Sequence, residues 1–539
     1  MAGDHPGRGL ALQPLEPLSM PTIADPKRKN VLLIVVDQWR GDTLKAAGHK
    51  SIRTPNIDAL VAESVTFRRH YTVTSPCGPA RASLLTGMYA MNHRAVQNTI
   101  PLDARHTNLA MEVRKGGWDP AIVGYTTTTP DPREWPAMDP AFTVLGDLMH
   151  GWRPVGAFEP RMEGYFAWVA SQGYKLPENR GDIWLPEGVT EEELGATRKP
   201  SRIPAHLSDT RWFTERALTY LLGAAKRPWF LHLGYYRPHP PFAAPAPYHD
   251  MYSIDDAPAP VRASTPEEEA RQHPLLRFFL DSIDKRRFFE NGKGLASSMS
   301  VGEVRQMRAT YYGLISECDA EIGRVLQFLR DSGQWDDTLI ILTSDHGEQL
   351  GDHYILGKVG YFDESFHIPL IVRDPDASAD ATRGTVVDSF TESIDIMPTI
   401  LNWLGLETPR TVDGRSLLPF VREGAAPPDW RRHVYYEYDY RNVFMSASRP
   451  EEVLGVDLDE ASLAVVEDEA GKYVHFTKLP SLYFDLAQDP GQFTSLAADP
   501  SRASEVLRYA QAMLSWRLRF AERTLTGYQA SPDGLVKRV

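Results

Sequence analysis

Two cysteines, Cys77 and Cys318, in 539 residues leave no material for a disulfide framework. No run of residues is long and apolar enough to span a bilayer, so no membrane partner is expected. Positive charge is also short. With 58 Lys and Arg against 71 Asp and Glu, the formal net charge is −13, whereas a phosphate backbone demands a basic face. A nucleic-acid partner is therefore not expected, although a local cationic pocket for a small anion is compatible with this balance. The first thirty residues are rich in Pro and Gly and lack a continuous apolar segment, so no signal peptide is read. A cytoplasmic protein is expected, with a disordered tail over residues 1–29 and Met20 as an alternative start to Met1.

What is present is the composition of a globular chain, 42% hydrophobic and 24% charged. Val31–Val36 is an unbroken, mostly β-branched apolar run, which reads as a strand buried on both faces, the mark of a parallel sheet. Similar runs recur at residues 121–125, 229–235, 338–343 and 368–372, with helical patterns at 209–223 and 305–331. Strands alternating with helices predict an α/β fold around a large, doubly wound, mostly parallel sheet, whose ligands gather beyond the carboxyl ends of its strands. This part is expected to run from 30 to 424. Inserts near 151–204 and 243–302 interrupt it, and segments of that kind build either pocket walls or oligomer contacts. From 425 to 539 the pattern predicts a smaller antiparallel sheet, with strands around 434–440, 465–476 and 481–486, covered by a helix over 504–520. Cys318 sits at helical spacing with Leu314, Ile315, Ile322 and Val325, and is expected to be a packed core thiol.

Cys77 has no such apolar setting. It opens Cys77-Gly78-Pro79-Ala80-Arg81 and the small-residue stretch ending Ser83-Leu84-Leu85-Thr86-Gly87. Arg81 stands one helical turn after Cys77, within reach of it or its charge, though a lone helical Arg is more often solvated. Asp37 ends the first strand, in a position that suits either a helix cap or a ligand in the crevice. Asp345-His346 ends another strand. Hard oxygen and imidazole donors at two strand ends, together with Cys77, favour a site for one divalent ion. His239 follows the 229–235 strand in a Pro-rich loop and reads as either a turn-packing or a functional group. Lys358 stands in a Gly-containing loop after Asp345-His346. His353, His367 and Glu364 read as supporting or structural groups.

The Cys-x-Pro-x-Arg run with its Ser-Leu-Leu-Thr-Gly tail resembles the signature of type I sulfatases, members of the alkaline phosphatase superfamily. The resemblance extends to Asp345-His346-Gly347-Glu348, Asp395-Ile396-Met397-Pro398-Thr399, Asp413-Gly414-Arg415-Ser416-Leu417 and Leu482-Tyr483-Phe484-Asp485. It covers nearly everything but the N-terminal tail and parts of the inserts. Asp37-Gln38-Trp39-Arg40, Arg237-Pro238-His239-Pro240-Pro241-Phe242 and Tyr361–Pro369 look like the phosphonate monoester hydrolase and dimeric arylsulfatase branch. Many sulfatases carry a second aspartate where this chain has the neutral Gln38.

The resemblance implies an alkaline-phosphatase-like fold and oxidation of Cys77 to formylglycine by a sulfatase-maturing enzyme. It implies one divalent metal ion, Mn, Ca or Mg, held by Asp37, Gln38, residue 77, Asp345 and His346. One hydroxyl of the hydrated aldehyde would attack sulfur or phosphorus, and the other would expel the bound oxyanion by C–O cleavage. Arg81, His239 and Lys358 would serve the reaction, with Asn98, Tyr125 and Thr127 placed to bind substrate oxygens. The expected substrate is a small anionic ester: a monoanionic sulfate, a phosphonate monoester or a phosphodiester. A homodimer or homotetramer is implied as well. Two other readings stay open, an alkaline phosphatase superfamily enzyme using an unmodified residue 77 and a degenerate binding protein on the same fold.

Overall fold

Residues 29–98, 100–134, 136, 148–157, 162–189, 195–441, 449–532 and 534–537 are described in a computed structural model of the chain. The tail expected over residues 1–29, with Met1 and Met20, lies outside these residues apart from Lys29.

The first apolar run becomes β1 (Asn30–Val36), buried at every position. With it stand β2 (Val65–Phe67), β3 (Pro120–Gly124), β4 (Arg153–Ala157), β5 (Phe230–Tyr235), β6 (Thr338–Ser344), β7 (Leu370–Arg373) and β8 (Val386–Val387). They form one eight-stranded sheet in the order β8-β2-β7-β6-β1-β5-β3-β4. From β6 across β1, β5 and β3 to β4 every pairing is parallel.

The side-chain alternation of β1 shows why the run is apolar throughout. Leu32, Ile34 and Val36 join one core with Phe213 and Leu314, while Val31, Leu33 and Val35 join a second with Leu84 and Ile400. Those partners lie on helices α1 (Cys77–Thr86), α2 (Asp209–Ala224), α3 (Val301–Asp331) and α4 (Ile396–Leu404). The sheet is therefore covered on both faces, as parallel sheets require. Among the described residues no helix is long and apolar enough to cross a membrane.

The 368–372 run departs from expectation. Its main part, β7, lies antiparallel between β2 and β6, and His367–Ile368 joins a separate three-stranded sheet. A continuous apolar run reports burial on both faces and carries no information about strand direction.

The later strands β9 (Val434–Asp439), β10 (Ser462–Glu467), β11 (Gly471–Phe476) and β12 (Leu482–Asp485) form an antiparallel sheet. Helix α5 (Ala503–Arg519) packs over it through Tyr509, Met513 and Trp516. A further strand, Thr74–Ser75, extends this sheet by pairing parallel to β9, with Ser75 opposite Tyr438. The segment leading into Cys77 is thus anchored by residues more than 350 positions away in sequence.

Two helical glycines give a paired test of packing. A Cβ at Gly313 in α3 would fall 2.3 Å from the Tyr248 carbonyl oxygen, while one at Gly223 in α2 would meet nothing within 4 Å. Gly313→Ala should destabilise the protein by about 1–3 kcal/mol through overpacking. Gly223→Ala should stabilise it by up to about 1 kcal/mol through helix propensity. Thermal midpoints moving in the same direction in both variants would contradict this packing.

Candidate active site

β1 and β6 are parallel neighbours in register, with Val36 opposite Ser344. Adjacent strands lie about 4.8 Å apart, so the next residues, Asp37 and Asp345, emerge side by side. Gln38 then turns the chain with φ 68, a left-handed conformation that costs a non-glycine residue about 1–3 kcal/mol. Hydrogen bonds on both sides hold it. The Gln38 amide donates to Asp345 Oδ1 at 3.1 Å, and the Tyr311 hydroxyl donates to the Gln38 carbonyl at 2.7 Å.

β5 and β3 end at the same edge and deliver the segments that hold His239 and Tyr125. Their backbones approach closely: a Cβ at Gly124 would lie 3.0 Å from the Gly234 Cα, and Gly124 has φ +113, so glycine is required there.

α1 opens at Cys77 and is buried throughout. The Gly78 amide donates to Asn98 Oδ1 at 2.8 Å, which satisfies one of the free N–H groups of the helix start. A Cβ at Gly78 would lie 3.0 Å from both Asn98 Oδ1 and the Thr127 carbonyl oxygen. Asn98 and Thr127 therefore close tightly on the residue after Cys77.

Arg81 is fully buried and turns toward the strand ends. Its Nε donates to Asp345 Oδ2 at 2.9 Å, one terminal nitrogen to Asp37 Oδ2 at 3.2 Å, and the other to the Tyr125 carbonyl at 3.1 Å. The guanidinium carbon stands 4.2 Å from the Tyr125 ring centre, and the Tyr125 hydroxyl donates to Asp37 Oδ2. One atom each from Asp37, Cys77, Asp345 and His346 lies within 4.8 Å of the other three. His346 Nε2 is 3.2 Å from Cys77 Sγ.

Charge in this volume is tightly constrained. Burial, then the Asp345 carboxylate, pushes Asp37 up to about 7 against the pull of Arg81 and Lys358. Burial acts on Asp345 in the same direction, but His346, Arg81 and the Gln38 amide together hold it below the usual carboxylate range. Burial and Asp37 push the Cys77 thiol up to about 12. Burial also brings the His346 imidazole down to about 4, despite Asp345. His346 Nδ1 lies 3.0 Å from the Gly347 carbonyl, which can only accept, so the ring proton sits there and the Nε2 lone pair faces the cluster.

These residues fit a divalent ion. Asp37 Oδ1 is buried without a hydrogen-bond partner, a costly state for a carboxylate oxygen unless a cation meets it. The neutral imidazole and two carboxylates converge where that oxygen points, a donor set suited to a hard or borderline cation.

Gln38 is fixed by charged groups on either side. Its Nε2 donates to Glu348, and Lys358 Nζ donates to its Oε1 at 2.6 Å. Glu348 also accepts from the Leu350 and Gly357 amides. The sequence places Glu348 in the Asp-His-Gly-Glu run, but nothing local marks it as the group that orients Gln38. Burial works against the Lys358 ammonium, but Cys77, Asp37, Glu348 and Asp345 raise it above its ordinary range. His239 Nδ1 lies 2.7 Å from the Pro240 carbonyl, its ring rests 4.5 Å from that of Tyr236, and burial with Lys358 pushes it well below its usual pKa.

Lys358, His239, Gln38 and Asn98 line one cavity of about 170 Å³. His353 pairs with Glu269 at 2.9 Å, and His367 bonds the Arg68 carbonyl at 2.7 Å, so neither joins the cluster. Cys318 is buried on α3, as its spacing implies.

The sulfatase family profile matches residues 29–406, and a profile described as N-sulphoglucosamine sulphohydrolase, C-terminal, matches 351–518. The multifunctional alkaline phosphatase superfamily protein PehA of Trinickia caryophylli is 59% identical over 516 residues, covering 95% of this chain and 99% of that protein. An arylsulfatase of Clostridium perfringens is 27% identical, with 87% of this chain and 90% of that protein covered. Among solved structures, a phosphonate monoester hydrolase of Agrobacterium radiobacter superimposes with TM-score 0.90 at 42% identity, covering 95% of this chain and 100% of that one. Another from Silicibacter pomeroyi gives TM-score 0.87 at 37% identity over the same shares.

A cation held by these side chains should stabilise the fold. A divalent ion at one hundred times its Kd adds about 2.7 kcal/mol, so Mn or Ca added to chelator-treated protein should raise the thermal midpoint. Asp37→Asn and Asp345→Asn should each remove that rise. A rise that survives in both variants would place the ion elsewhere.

Proposed function

The chain belongs to the sulfatase family, and from that premise we propose that it is a formylglycine-dependent metallohydrolase of monoanionic sulfate and phosphonate esters, phosphodiesters included. The observation that carries this reading is the convergence of Cys77 with Asp37, Asp345 and His346, inside a Cys-x-Pro-x-Arg run whose arginine grips both carboxylates. Similarity to an arylsulfatase and to two phosphonate monoester hydrolases supports the two ester classes.

Asp37, Asp345 and His346 would hold the ion, with Gln38 and residue 77 completing its surroundings. When bound, the ion supplies Lewis-acid charge at the ester oxygens. The hydrated aldehyde at residue 77 supplies two hydroxyls on one carbon, one to attack and one to release the product without a second water. Arg81 keeps both carboxylates in place and is itself held by the Tyr125 carbonyl. Asn98 accepts a bond from the start of α1, next to residue 77, and Asn98, Tyr125 and Thr127 are assigned to the substrate oxygens. His239 and Lys358 face the cavity from two different loops and are assigned to the substrate oxygens and the leaving-group proton. The neutral Gln38 in place of a second carboxylate suits an ester centre of single charge.

The same proposal includes a maturing enzyme as partner, a cytoplasmic location, a homo-oligomer, and a division near residue 425 into catalytic and C-terminal parts. The competing reading, an unmodified nucleophile at residue 77, predicts active enzyme that carries only thiol there.

Mass spectrometry of the peptide carrying residue 77 should find sulfur exchanged for oxygen with two hydrogens lost, and specific activity should follow the converted fraction. Nitrophenyl sulfate and nitrophenyl phenylphosphonate should both be turned over, with one dominating in kcat/KM. Active enzyme carrying only thiol, or turnover confined to dianionic phosphate monoesters, would refute the proposal.

A further inference from the structure

The cavity beside Lys358 carries lining residues that the reaction above does not use. Besides Gln38, Asn98, His239 and Lys358, its walls include Arg287, Phe288, Val359 and Tyr438. Arg287 and Phe288 come from the insert at 243–302, so that insert builds a pocket wall. Tyr438 comes from β9, directly opposite Ser75 and thus next to the segment that leads into Cys77.

Two of these residues present polar groups without a protein partner. Tyr438 is 2% exposed, yet among the described residues its hydroxyl makes no hydrogen bond. The Arg287 guanidinium likewise forms no ion pair or hydrogen bond among them. Asp284, the carboxylate that acts on its charge, accepts instead from the Arg286 amide at 2.8 Å. Arg287 is exposed at the rim of the cavity, so its guanidinium is open to an anion that enters there.

The wall is braced. Lys285 donates through its amide to the Gly294 carbonyl at 2.8 Å, and the Phe242 amide donates to the Phe288 carbonyl at 2.8 Å. The Phe288 and Phe242 rings lie 6.2 Å apart and nearly parallel. Phe242 follows directly on the segment that holds His239, so the wall and His239 are fixed to each other. His239 and Lys358 are the groups assigned to the departing oxygen, which puts this cavity on the leaving-group side.

We propose that the cavity is a leaving-group subsite for an aromatic ring bearing an anionic substituent, a carboxylate in the simplest case, with the ring against Phe288 and Val359 and the anion on Arg287. The Tyr438 hydroxyl supplies a second donor. Because the protein is acidic overall, with a net charge of −13, attraction of a second negative charge has to come from a local cation such as this one. The inference rests on the ester-hydrolase reading for the side on which the ring sits, and binding of the free leaving group tests it separately from turnover.

The test is equilibrium titration of the mature, metal-loaded protein with 4-hydroxybenzoate and its neutral isostere 4-hydroxybenzamide, in wild type, Arg287→Met and Arg287→Lys. Wild type should bind the acid about threefold to fivefold more tightly, the scale of one ion pair at an exposed arginine. Arg287→Met should collapse that preference, and Arg287→Lys should retain part of it with an unchanged thermal midpoint. Equal binding of the two phenols by wild type, or a preference that survives Arg287→Met, would overturn the subsite. A preserved preference with neither phenol's sulfate ester hydrolysed would sink the reaction and leave the subsite standing.

Discussion

Two carboxylates side by side at the ends of adjacent buried strands, bridged by one guanidinium, form the arrangement on which the rest of the site depends. The register of β1 against β6 sets the spacing of Asp37 and Asp345, and Arg81 joins them with charge-assisted bonds. Burial makes this cluster all-or-nothing, because removing one member of a buried charged set typically costs about 3–5 kcal/mol. Arg81 and Lys358 offset two negative charges and still leave Asp37 Oδ1 without a partner. That unmet oxygen, the oriented lone pair of His346 and residue 77 face one another across a few ångströms. A divalent ion is the simplest species that satisfies all of them together.

The placement of residue 77 draws on both sheets. Thr74–Ser75 pairs with β9 of the smaller sheet, and the Ser75 hydroxyl donates to the Lys358 carbonyl at 2.9 Å. The smaller sheet therefore helps determine where α1 begins, and it contributes Tyr438 to the cavity wall. The 243–302 insert contributes the facing wall through Arg287 and Phe288. The strand ends of the large sheet thus hold Asp37 and Asp345, while the insert and the smaller sheet supply walls of the cavity beside them.

Much of this was readable in one dimension. Val31–Val36 and Thr338–Thr343 announce buried strands because a parallel sheet needs apolar side chains on both faces, and a carboxylate at the end of such a strand has few other places to go. Cys77 and Arg81 were conspicuous through their motif. The direction of β7 was hidden, since apolar content is the same for either direction. The grip of Arg81 on Asp345, the role of Glu348 in orienting Gln38 and the pairing of Ser75 with Tyr438 were hidden as well. Arg81 and Asp345 are 264 residues apart, and Gln38 and Glu348 are 310 apart; no local pattern encodes contacts that the sheet order alone brings together. That Arg287 and Phe288 of the 243–302 insert line the cavity depends on Phe288 packing near Phe242, which spacing does not supply.

Anomalous diffraction from crystals of the mature protein grown with manganese examines the central claim without relying on turnover. A single peak should appear within bonding distance of Asp37 Oδ1, Asp345, His346 Nε2 and the side chain of residue 77. A peak at some other cluster, or none at these four residues when the metal content is stoichiometric, would contradict it.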